Sequence, residues 1–211
     1  MRPAKAEDSA VVAKNGVFFM RITGGKARGI PIKAPSGQAT RPATDRMRES
    51  VFSSLGLVVE SSHCLDLFAG TGAYGLEALS RGAKTVTFVE NNAKVLRVLD
   101  TNKQAVLKSL KLDAEGSTQT AQADVFRWKP AQRMDLIFAD PPYSLLEKQG
   151  EALLKQLALW LEPTPGARII LEAPGGWQPA DIEGIKCIKR LGKKGKLEPS
   201  VLIYKRQADS A

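Results

Sequence analysis

The sequence is poor in the side chains that build metal centres and disulfide frameworks. Its 211 residues include one histidine, His63, and two cysteines, Cys64 and Cys187. So few imidazole and thiolate ligands give no metal-binding cluster, and we expect no metal. The cysteines lie far apart within apolar patterns, which favours two buried free thiols and a reducing cytoplasm. His63 has no acid–base partner in the sequence, so we assign it a structural role.

Long hydrophobic runs are also missing. No apolar stretch approaches the roughly 18–20 residues that span a bilayer, so we expect no membrane association. Residues 1–8 mix acidic and basic side chains and lead only to a short apolar patch, which is not typical of a signal peptide. The length suits one well-buried domain, and we expect a cytoplasmic monomer.

The most informative feature present is Asp140-Pro141-Pro142-Tyr143, which follows the apolar run 136–139. The run predicts a buried strand that the two prolines end. The Asp140 carboxylate and the Pro141 carbonyl can each accept an N–H from an exocyclic amine. Tyr143 offers a face on which a base can stack. This corner therefore predicts a catalytic site for a planar ring that carries an amine, although a strand end with a packed tyrosine would look the same.

A glycine-rich turn lies upstream of this corner. Gly70, Gly72 and Gly75 form a G-x-G-x-x-G pattern between an apolar strand and a helical pattern. The first two glycines allow a ligand to approach the backbone, and the third allows close helix–strand packing. The next strand leads to Glu90, an acidic residue about 20 residues on, which can bind ribose hydroxyls. Both NAD enzymes and S-adenosylmethionine enzymes use this arrangement.

Strand and helix patterns alternate from Cys64 onward and predict an α/β fold. We expect a seven-stranded, mainly parallel, doubly wound Rossmann-like sheet that ends in an antiparallel hairpin. A small N-terminal β-hairpin precedes it, followed by a helix that Thr44 caps and Gly56 ends. We also expect a short helical piece near 124–128. The predicted organisation is an extension at 1–19, a hairpin and helix that cover the site at 20–56, a catalytic core at 57–206 and a tail at 207–211.

Charge is segregated along the chain. Residues 1–56 carry a net charge of +6 and residues 186–206 carry +7, whereas residues 57–185 carry −3. A coat of lysines that served solubility would be spread evenly. Basic ends around a slightly acidic core instead favour a phosphate-binding surface for RNA. The residues that we assign to RNA binding are Lys26, Arg28, Arg46, Lys193, Lys194 and Lys196.

The sequence resembles the RsmD-like 16S ribosomal RNA guanine-N2 methyltransferases over residues 20–204. It departs from the usual family pattern at Ala43, where threonine is common, and at Tyr74, where leucine is common. Four blocks carry the resemblance, and the first two are the most specific: Met20–Gly25, Arg41–Glu49, Asp66–Gly82 and Asp140–Tyr143.

The resemblance implies S-adenosyl-L-methionine as cofactor and ribosomal RNA, or the assembling small ribosomal subunit, as partner. Asp66 and the backbone of the glycine turn would hold the methionine end, Glu90 the ribose and Asp124 the adenine amine. Arg41 would reach the cofactor carboxylate, or equally an RNA phosphate. The further residues assigned to the cofactor are Phe68, Ala69, Gly70, Thr71, Gly72, Asn91, Val125 and Thr44.

Three other functions remain open. A DNA adenine-N6 or cytosine-N4 methyltransferase could use the same corner, but no segment is large enough for a target-recognition domain. An inactive RNA-binding protein on this fold would have no reason to keep the glycines and Asp140. An NAD-dependent enzyme would need a site that handles hydride, and none is evident in the sequence.

Overall fold

The centre of the molecule is a seven-stranded sheet flanked by helices. The computed structural model describes residues 20–34, 43–179, 181–192, 195 and 198–207. Two further strands, β1 and β2, form a separate hairpin. The strands are β1 (Met20–Arg21), β2 (Pro31–Ile32), β3 (His63–Leu67), β4 (Thr85–Glu90), β5 (Thr118–Gln122), β6 (Leu136–Ala139), β7 (Arg168–Pro174), β8 (Ile185–Gly192) and β9 (Pro199–Arg206).

The sheet is parallel except at its last hairpin. Its spatial order is β5-β4-β3-β6-β7-β9-β8, and β9 runs antiparallel to both of its neighbours. Parallel neighbours need long crossover connections, which helices usually supply. The predicted α/β sheet, with its antiparallel end, is confirmed. The helices are α1 (Ala43–Leu55), α2 (Ala73–Ser80), α3 (Ala93–Leu110), α4 (Ala114–Ser117) and α5 (Tyr143–Trp160).

Both faces of the sheet are buried. Alternate residues of a strand point to opposite faces, so Phe88 and Phe138 pack with α1, α2, α3 and the N-terminal hairpin. Leu65, Ile137 and Leu171 point the other way and pack with α5. Because helices cover both faces, the central strands read as continuous apolar runs rather than alternating ones.

Local sequence explains where α3 and α5 begin. The side chain of Asn92 accepts a hydrogen bond from the Lys94 N–H at 2.9 Å and so caps α3. Pro142 precedes α5, and its carbonyl accepts from the N–H of Leu145 at 2.9 Å. The apolar face of α5 repeats every three or four residues, which places it against the sheet. Its fully buried leucines are Leu153, Leu154 and Leu157.

The predicted N-terminal hairpin is present and docks on α2. The N–H of Ile22 donates to the carbonyl of Ile30 at 2.9 Å. At the tip, the N–H of Lys26 donates to the Ser80 carbonyl at 2.7 Å, and the N–H of Ala27 donates to Ser80 Oγ at 2.9 Å. Because Ser80 ends α2, the tip lies at the opposite end of that helix from the glycine turn.

Several local predictions were wrong. Helix α1 begins at Ala43, so Thr44 lies in its first turn instead of preceding it as a cap. Residues 124–128 form a single turn and not a regular helix: the Asp124 carbonyl accepts from the N–H groups of Arg127 and Trp128, both at 3.0 Å, and Asp124 Oδ1 accepts from the Phe126 N–H at 2.8 Å. A short helix, α4, was not expected. Cys187 is exposed because β8 is an edge strand, whereas Cys64 is buried; both thiols are free.

Candidate active site

The carboxyl ends of β3, β4 and β6 meet at one edge of the sheet. In parallel register, Leu67 lies beside Val89 and also beside Ala139. The residues that follow these positions are therefore close in space, and such edges are where ligands bind in open α/β sheets. The glycine turn, Glu90 and the Asp140 corner, which are far apart in the sequence, are brought together here.

The Asp140 corner has the expected form. All four residues of β6 are buried, and Asp140 directly after them is exposed. Its N–H points to the Leu67 carbonyl at 3.5 Å, which holds the corner against β3. Pro141 is buried, whereas Tyr143 is half-buried at the start of α5. The corner is thus a rigid connection between a central strand and a helix, with a carboxylate on its open side.

The glycine turn is built from left-handed backbone. Phe68 has φ 55°, Gly70 has φ 53° and Gly72 has φ 79°. A Cβ atom on Gly72 would lie 2.2 Å from Leu99 Cδ1, so only glycine fits there. Phe68 adopts a conformation that is uncommon for a bulky residue, and such outliers cluster at ligand sites. Ala69 is buried, while Thr71 is half-buried.

Glu90 ties the glycine turn to the end of β4. Its Oε2 accepts from the Gly70 N–H at 3.0 Å, and its Oε1 accepts from the Asn92 N–H at 2.8 Å. Glu90 is half-buried, and neighbouring Asn91 is exposed at the edge of the sheet. The carboxylate therefore stands beside the turn at the position predicted for a ribose contact.

Asp66 lies beneath the turn and is only 3% exposed. Its Oδ2 accepts from the Gly75 N–H at 2.9 Å, near the beginning of α2. Burial raises the pKa of Asp66 to about 8; the Gly75 hydrogen bond opposes the rise, and the charges of Glu90 and Glu172 add to it. Asp66 thus joins the turn to β3, and its charge is poorly solvated.

Asp124 and Val125 lie beyond the end of β5. Asp124 is exposed, and the side chain of Val125 is buried. The Val125 carbonyl accepts from Gln156 Nε2 of α5 at 2.9 Å, which fixes this segment against the helix. The register of β4 and β5 pairs Glu90 with Gln122, so this segment follows the strand end next to Glu90.

Glu172 of β7 was missed by the sequence analysis, although it joins the same group of side chains. It accepts a hydrogen bond from the Tyr74 hydroxyl at 2.6 Å, and the Tyr74 ring stacks on Phe138 with centroids 5.3 Å apart. The departure of Tyr74 from the usual leucine was the available signal. Its partner lies 98 residues away, which no local pattern could reveal.

The surroundings of Asp140 raise the pKa of its carboxyl group. Burial, then the charges of Glu172 and Asp66, raise its pKa well above the ordinary range. Asp140 remains accessible to solvent on its open side, which weakens the effect of burial. The repulsion from two carboxylates on the same side of the sheet persists, and it favours the uptake of a proton.

Arg48 is a second residue that the sequence analysis missed. Its side chain is buried between the N-terminal hairpin, α1 and α2, with Nε 3.4 Å from Glu77 Oε2 and an Nη 2.9 Å from Asp45 Oδ1. The charge of Arg48 lowers the pKa of Glu172, against the larger effect of burial. Arg41, which was predicted to clamp the site, lies outside the described residues, and the side chain of Thr44 is likewise not described.

Three of the six predicted RNA-binding residues are described by the structure. Lys26 and Arg28 are exposed on the hairpin tip, at the far end of α2. Arg46 is exposed on α1. Lys193, Lys194 and Lys196 fall outside the described residues, but they connect Gly192 to Pro199, and Pro199 pairs with Pro174 at the carboxyl end of β7.

The part of the chain that the structure describes offers neither a metal site nor a membrane span. No cluster of three or more histidine, cysteine, aspartate or glutamate side chains in it could hold a metal ion. None of the described helices is long and apolar enough to cross a membrane. A groove of about 560 Å³ runs between α5 and the loop at Trp177, on the outer side of the helix, and its lining includes Glu147, Lys148 and Gly150 rather than the active-site carboxylates.

Known proteins resemble this chain along most of its length. Two curated relatives are named ribosomal RNA small subunit methyltransferase D. The one from Haemophilus influenzae is 36% identical over 148 residues, covering 68% of this chain and 74% of the relative. The one from Escherichia coli is 36% identical over 138 residues, covering 64% of this chain and 66% of the relative.

Solved structures share the fold. The protein yhhF from Escherichia coli superposes with a TM-score of 0.72 at 31% identity, covering 90% of this chain and 99% of that one. The protein TTHA0928 from Thermus thermophilus gives a TM-score of 0.64 at 26% identity, covering 87% and 98%. The family model described as "Conserved hypothetical protein 95" matches residues 20–205. With a single family model spanning the hairpin, the glycine turn and the Asp140 corner, the chain belongs to this RsmD-like methyltransferase family.

Proposed function

We propose that this protein transfers a methyl group from S-adenosyl-L-methionine to the N2 amine of a guanine in 16S ribosomal RNA. The observation that carries the proposal is the position of the Asp140–Tyr143 corner at the carboxyl end of β6, beside the glycine turn that Glu90 holds. The names of the relatives from Haemophilus influenzae and Escherichia coli support the coarser part of the proposal, the methylation of small-subunit ribosomal RNA.

The residues at this edge fit S-adenosylmethionine. The pKa of Asp66 and that of Asp140 are both raised, which marks a site where negative charge lacks compensation and a cationic ligand is favoured. The left-handed glycines admit close approach to the backbone. Glu90 would hold the ribose and Asp124 the adenine amine. Asp66 would act chiefly by fixing the turn, since its Oδ2 already accepts from Gly75.

The Asp140 corner would position the target amine. S-adenosylmethionine supplies a methyl group on a positively charged sulfur. The lone pair of a guanine amine is delocalised into the ring, which makes the amine a poor nucleophile. Asp140 and the Pro141 carbonyl would accept its two N–H groups, and Tyr143 would stack against the base. Positioning and electrostatic stabilisation of this kind account for large parts of enzymatic barriers.

The substrate would be RNA with an accessible base, either naked or within an assembling small ribosomal subunit. A paired guanine cannot enter such a corner, so the target would lie in a loop or be extruded. Arg46, which is exposed on α1, and the lysines that connect β8 to β9 would contact phosphates. The two free thiols are compatible with a reducing cytoplasm as the place of action.

The proposal is tested by methyl transfer from tritiated S-adenosylmethionine to ribosomal RNA, ribosomal particles and DNA in parallel. We expect incorporation into 16S RNA or small-subunit particles, with N2-methylguanine as the product. Incorporation into DNA alone would instead favour an adenine-N6 or cytosine-N4 methyltransferase. No incorporation into any of them, with RNA binding intact, would favour an inactive RNA-binding protein.

Two variants connect the activity to the corner. Asp140→Ala should abolish turnover while cofactor binding largely survives. Tyr143→Ala should slow turnover through the loss of base stacking, on the order of 1–3 kcal/mol. Asp113→Ala, a change at an exposed aspartate before α4, serves as the matched control and should leave turnover unchanged. If the Asp140 or the Tyr143 variant turns over at the wild-type rate with saturating RNA, the target amine does not bind at this corner.

A further inference from the structure

Glu172 lies close to Asp140 at the active-site edge. The register pairs Ala139, the last residue of β6, with Leu171 of β7, so Asp140 follows the end of β6 beside Glu172. Neighbouring strands lie about 4.8 Å apart. Glu172 follows Ile170 by two residues within β7 and therefore points to the same face as Ile170, toward α1 and α2. The charge of Glu172 acts on Asp140, and that of Asp140 acts on Tyr74, so the three side chains are neighbours.

Tyr74 fixes the position and the charge of Glu172. Its ring stacks on Phe138 at an interplanar angle of 17°, and its hydroxyl donates to Glu172 Oε1 at 2.6 Å. The pKa of Tyr74 is raised well above its usual value by burial, so the hydroxyl keeps its proton and remains a donor. A hydrogen bond to the charged form favours the carboxylate of Glu172 over its neutral acid.

The groups that face this carboxyl pair come from three elements. Tyr74 of α2 and Arg48 of α1 lower the pKa of Glu172, while the charge of Glu172 itself and then that of Asp66 of β3 raise the pKa of Asp140. Burial raises the pKa of both members of the pair and is the largest effect on each. The two stabilising groups act on Glu172 and not on Asp140, so Asp140 is the member of the pair at which a proton binds more readily.

We propose that Glu172 is a positioning residue for methylation: held by the Tyr74 hydroxyl, it keeps a negative charge beside Asp140 and so suits Asp140 to accept the proton that the methylated amine releases. This inference rests on the proposed function and extends it to the fate of that proton. As the amine nitrogen forms its bond to carbon, the methyl–sulfur bond breaks with its electron pair on sulfur. One N–H proton then passes from the positively charged nitrogen to the Asp140 carboxylate.

A direct test measures the proton affinity of Asp140 by carboxyl-carbon NMR titration of the cofactor-free protein. Glu172→Gln removes the neighbouring charge but keeps an oxygen that can accept from Tyr74. The titration midpoint of Asp140 should fall by about one pH unit or more. Tyr74→Phe keeps the stacked ring but removes the donor that holds the negative charge on Glu172, so the midpoint of Asp140 should also fall, by less than in Glu172→Gln. Glu151→Gln, an exposed change on α5, is the matched control and should leave it unchanged.

The same variants give a kinetic readout that a purely structural role would not move. Turnover needs the ionised Asp140, so it is lost as the pH falls through the pKa of this group. The acidic limb of the pH–rate profile should therefore move to lower pH in both variants, and further in Glu172→Gln than in Tyr74→Phe. The dissociation constant of S-adenosylmethionine at neutral pH should stay within about twofold of that of the parent protein.

The outcomes separate this inference from the proposed function. An Asp140 midpoint that is identical in the parent and in Glu172→Gln would overturn the inference, whatever the enzyme methylates. If the variants shift the Asp140 midpoint but the parent protein methylates no RNA, the proposed function is refuted and the inference about the two carboxyl groups is retained. Shifted midpoints with correspondingly shifted acidic limbs would support both.

Discussion

Carboxylates at the active-site edge have different surroundings, which give them different roles. Asp66 is enclosed and accepts from the Gly75 N–H, whereas Glu90 is half-buried and holds Gly70 and Asn92. Asp124 is exposed, and Asp140 stands on the open side of the corner. The enclosed carboxylate shapes the glycine turn, and the more open ones are available to ligands.

Glu90→Ala should weaken S-adenosylmethionine binding. The change removes charge-assisted hydrogen bonds worth roughly 1.5–3 kcal/mol each, so the dissociation constant should rise about 10- to 100-fold. Isothermal titration calorimetry measures it, with Glu115→Ala on the surface of α4 as the matched control. An unchanged affinity would mean that Glu90 does not touch the ribose. NAD should not bind the parent; binding of NAD alone would refute the cofactor assignment.

The raised pKa of Asp66 makes the stability of the cofactor-free protein depend on pH. Its folded-state pKa of about 8 exceeds the ordinary aspartate value of 3.8, so the folded state binds more protons between these limits. This contribution to the free energy of unfolding is fully present below about pH 4 and is lost as the pH rises through 8.

Asp66→Asn should flatten this dependence. The amide oxygen can still accept from Gly75, and no charge remains to be buried, so the variant should lose less stability than the parent between pH 5 and 8. Urea unfolding at several pH values measures the difference. Parallel curves for the parent and the variant would show that Asp66 titrates normally in the folded protein.

At the scale of elements, a buried carboxylate joins the N-terminal hairpin and α1 to the core. Glu77 of α2 is 0% exposed and accepts from the Thr23 N–H at 2.7 Å and the Thr23 hydroxyl at 2.8 Å. Arg48 Nε at 3.4 Å and Arg81 Nε at 2.8 Å complete its partners. Three segments thus meet at one side chain, which holds Arg48 near the active-site edge.

Glu77→Ala should destabilise the protein strongly. Removal of one partner leaves the buried Arg48 guanidinium poorly compensated, which typically costs about 3–5 kcal/mol. Urea denaturation measures the loss. Glu151→Ala removes the exposed partner of Lys155, with which it pairs at 2.6 Å, and should cost less than about 1 kcal/mol. Similar small losses in both variants would show that the buried cluster contributes little.

At the scale of the whole molecule, the two basic segments have different described neighbours. The connection between β8 and β9 leaves Gly192 and returns at Pro199, which pairs with Pro174 at the carboxyl end of β7, whereas the N-terminal hairpin tip lies at the far end of α2. A bound RNA must reach the corner, so contacts near that edge should contribute to every productive complex. The hairpin tip could contact only a more extended part of the RNA.

Neutralisation of Lys193, Lys194 and Lys196 to glutamine should therefore weaken RNA binding more than neutralisation of Lys26 and Arg28. The salt dependence of the affinity should become shallower by roughly 0.7–0.9 for each phosphate that the protein no longer neutralises. RNA affinity measured against salt concentration tests this, and cofactor affinity should not change. The control replaces Lys84, Lys108 and Lys111, which are exposed away from the active-site edge. If the RNA affinity of every variant depends on salt concentration as steeply as that of the parent, the basic segments do not bind RNA and serve only solubility.

The sheet could be predicted from the alternation of apolar runs and helical patterns. A strand buried on both faces and a helix with one apolar face each leave a pattern that is recognisable within a short segment of sequence. The seven strands of the sheet were predicted, and the terminal hairpin was expected because no helix separates β8 from β9. The turn at 124–128 was misread as helical, since an aspartate that closes a turn can also begin a helix. The exposure of Cys187 depends on strand order, which β8 alone does not reveal.

For the site, the glycine turn, Glu90 and the Asp140 corner could be predicted from the sequence, since each is a local motif at the end of an apolar run. The side chains that surround them could not, because they come from distant parts of the chain. Tyr74 and Glu172 meet across 98 residues, and Arg48 meets Glu77 across 29. The register of β6 against β7 places Glu172 beside Asp140. Such pairs form because strand order and helix docking bring distant segments together, and the charge of each side chain then alters the proton affinity of its new neighbours.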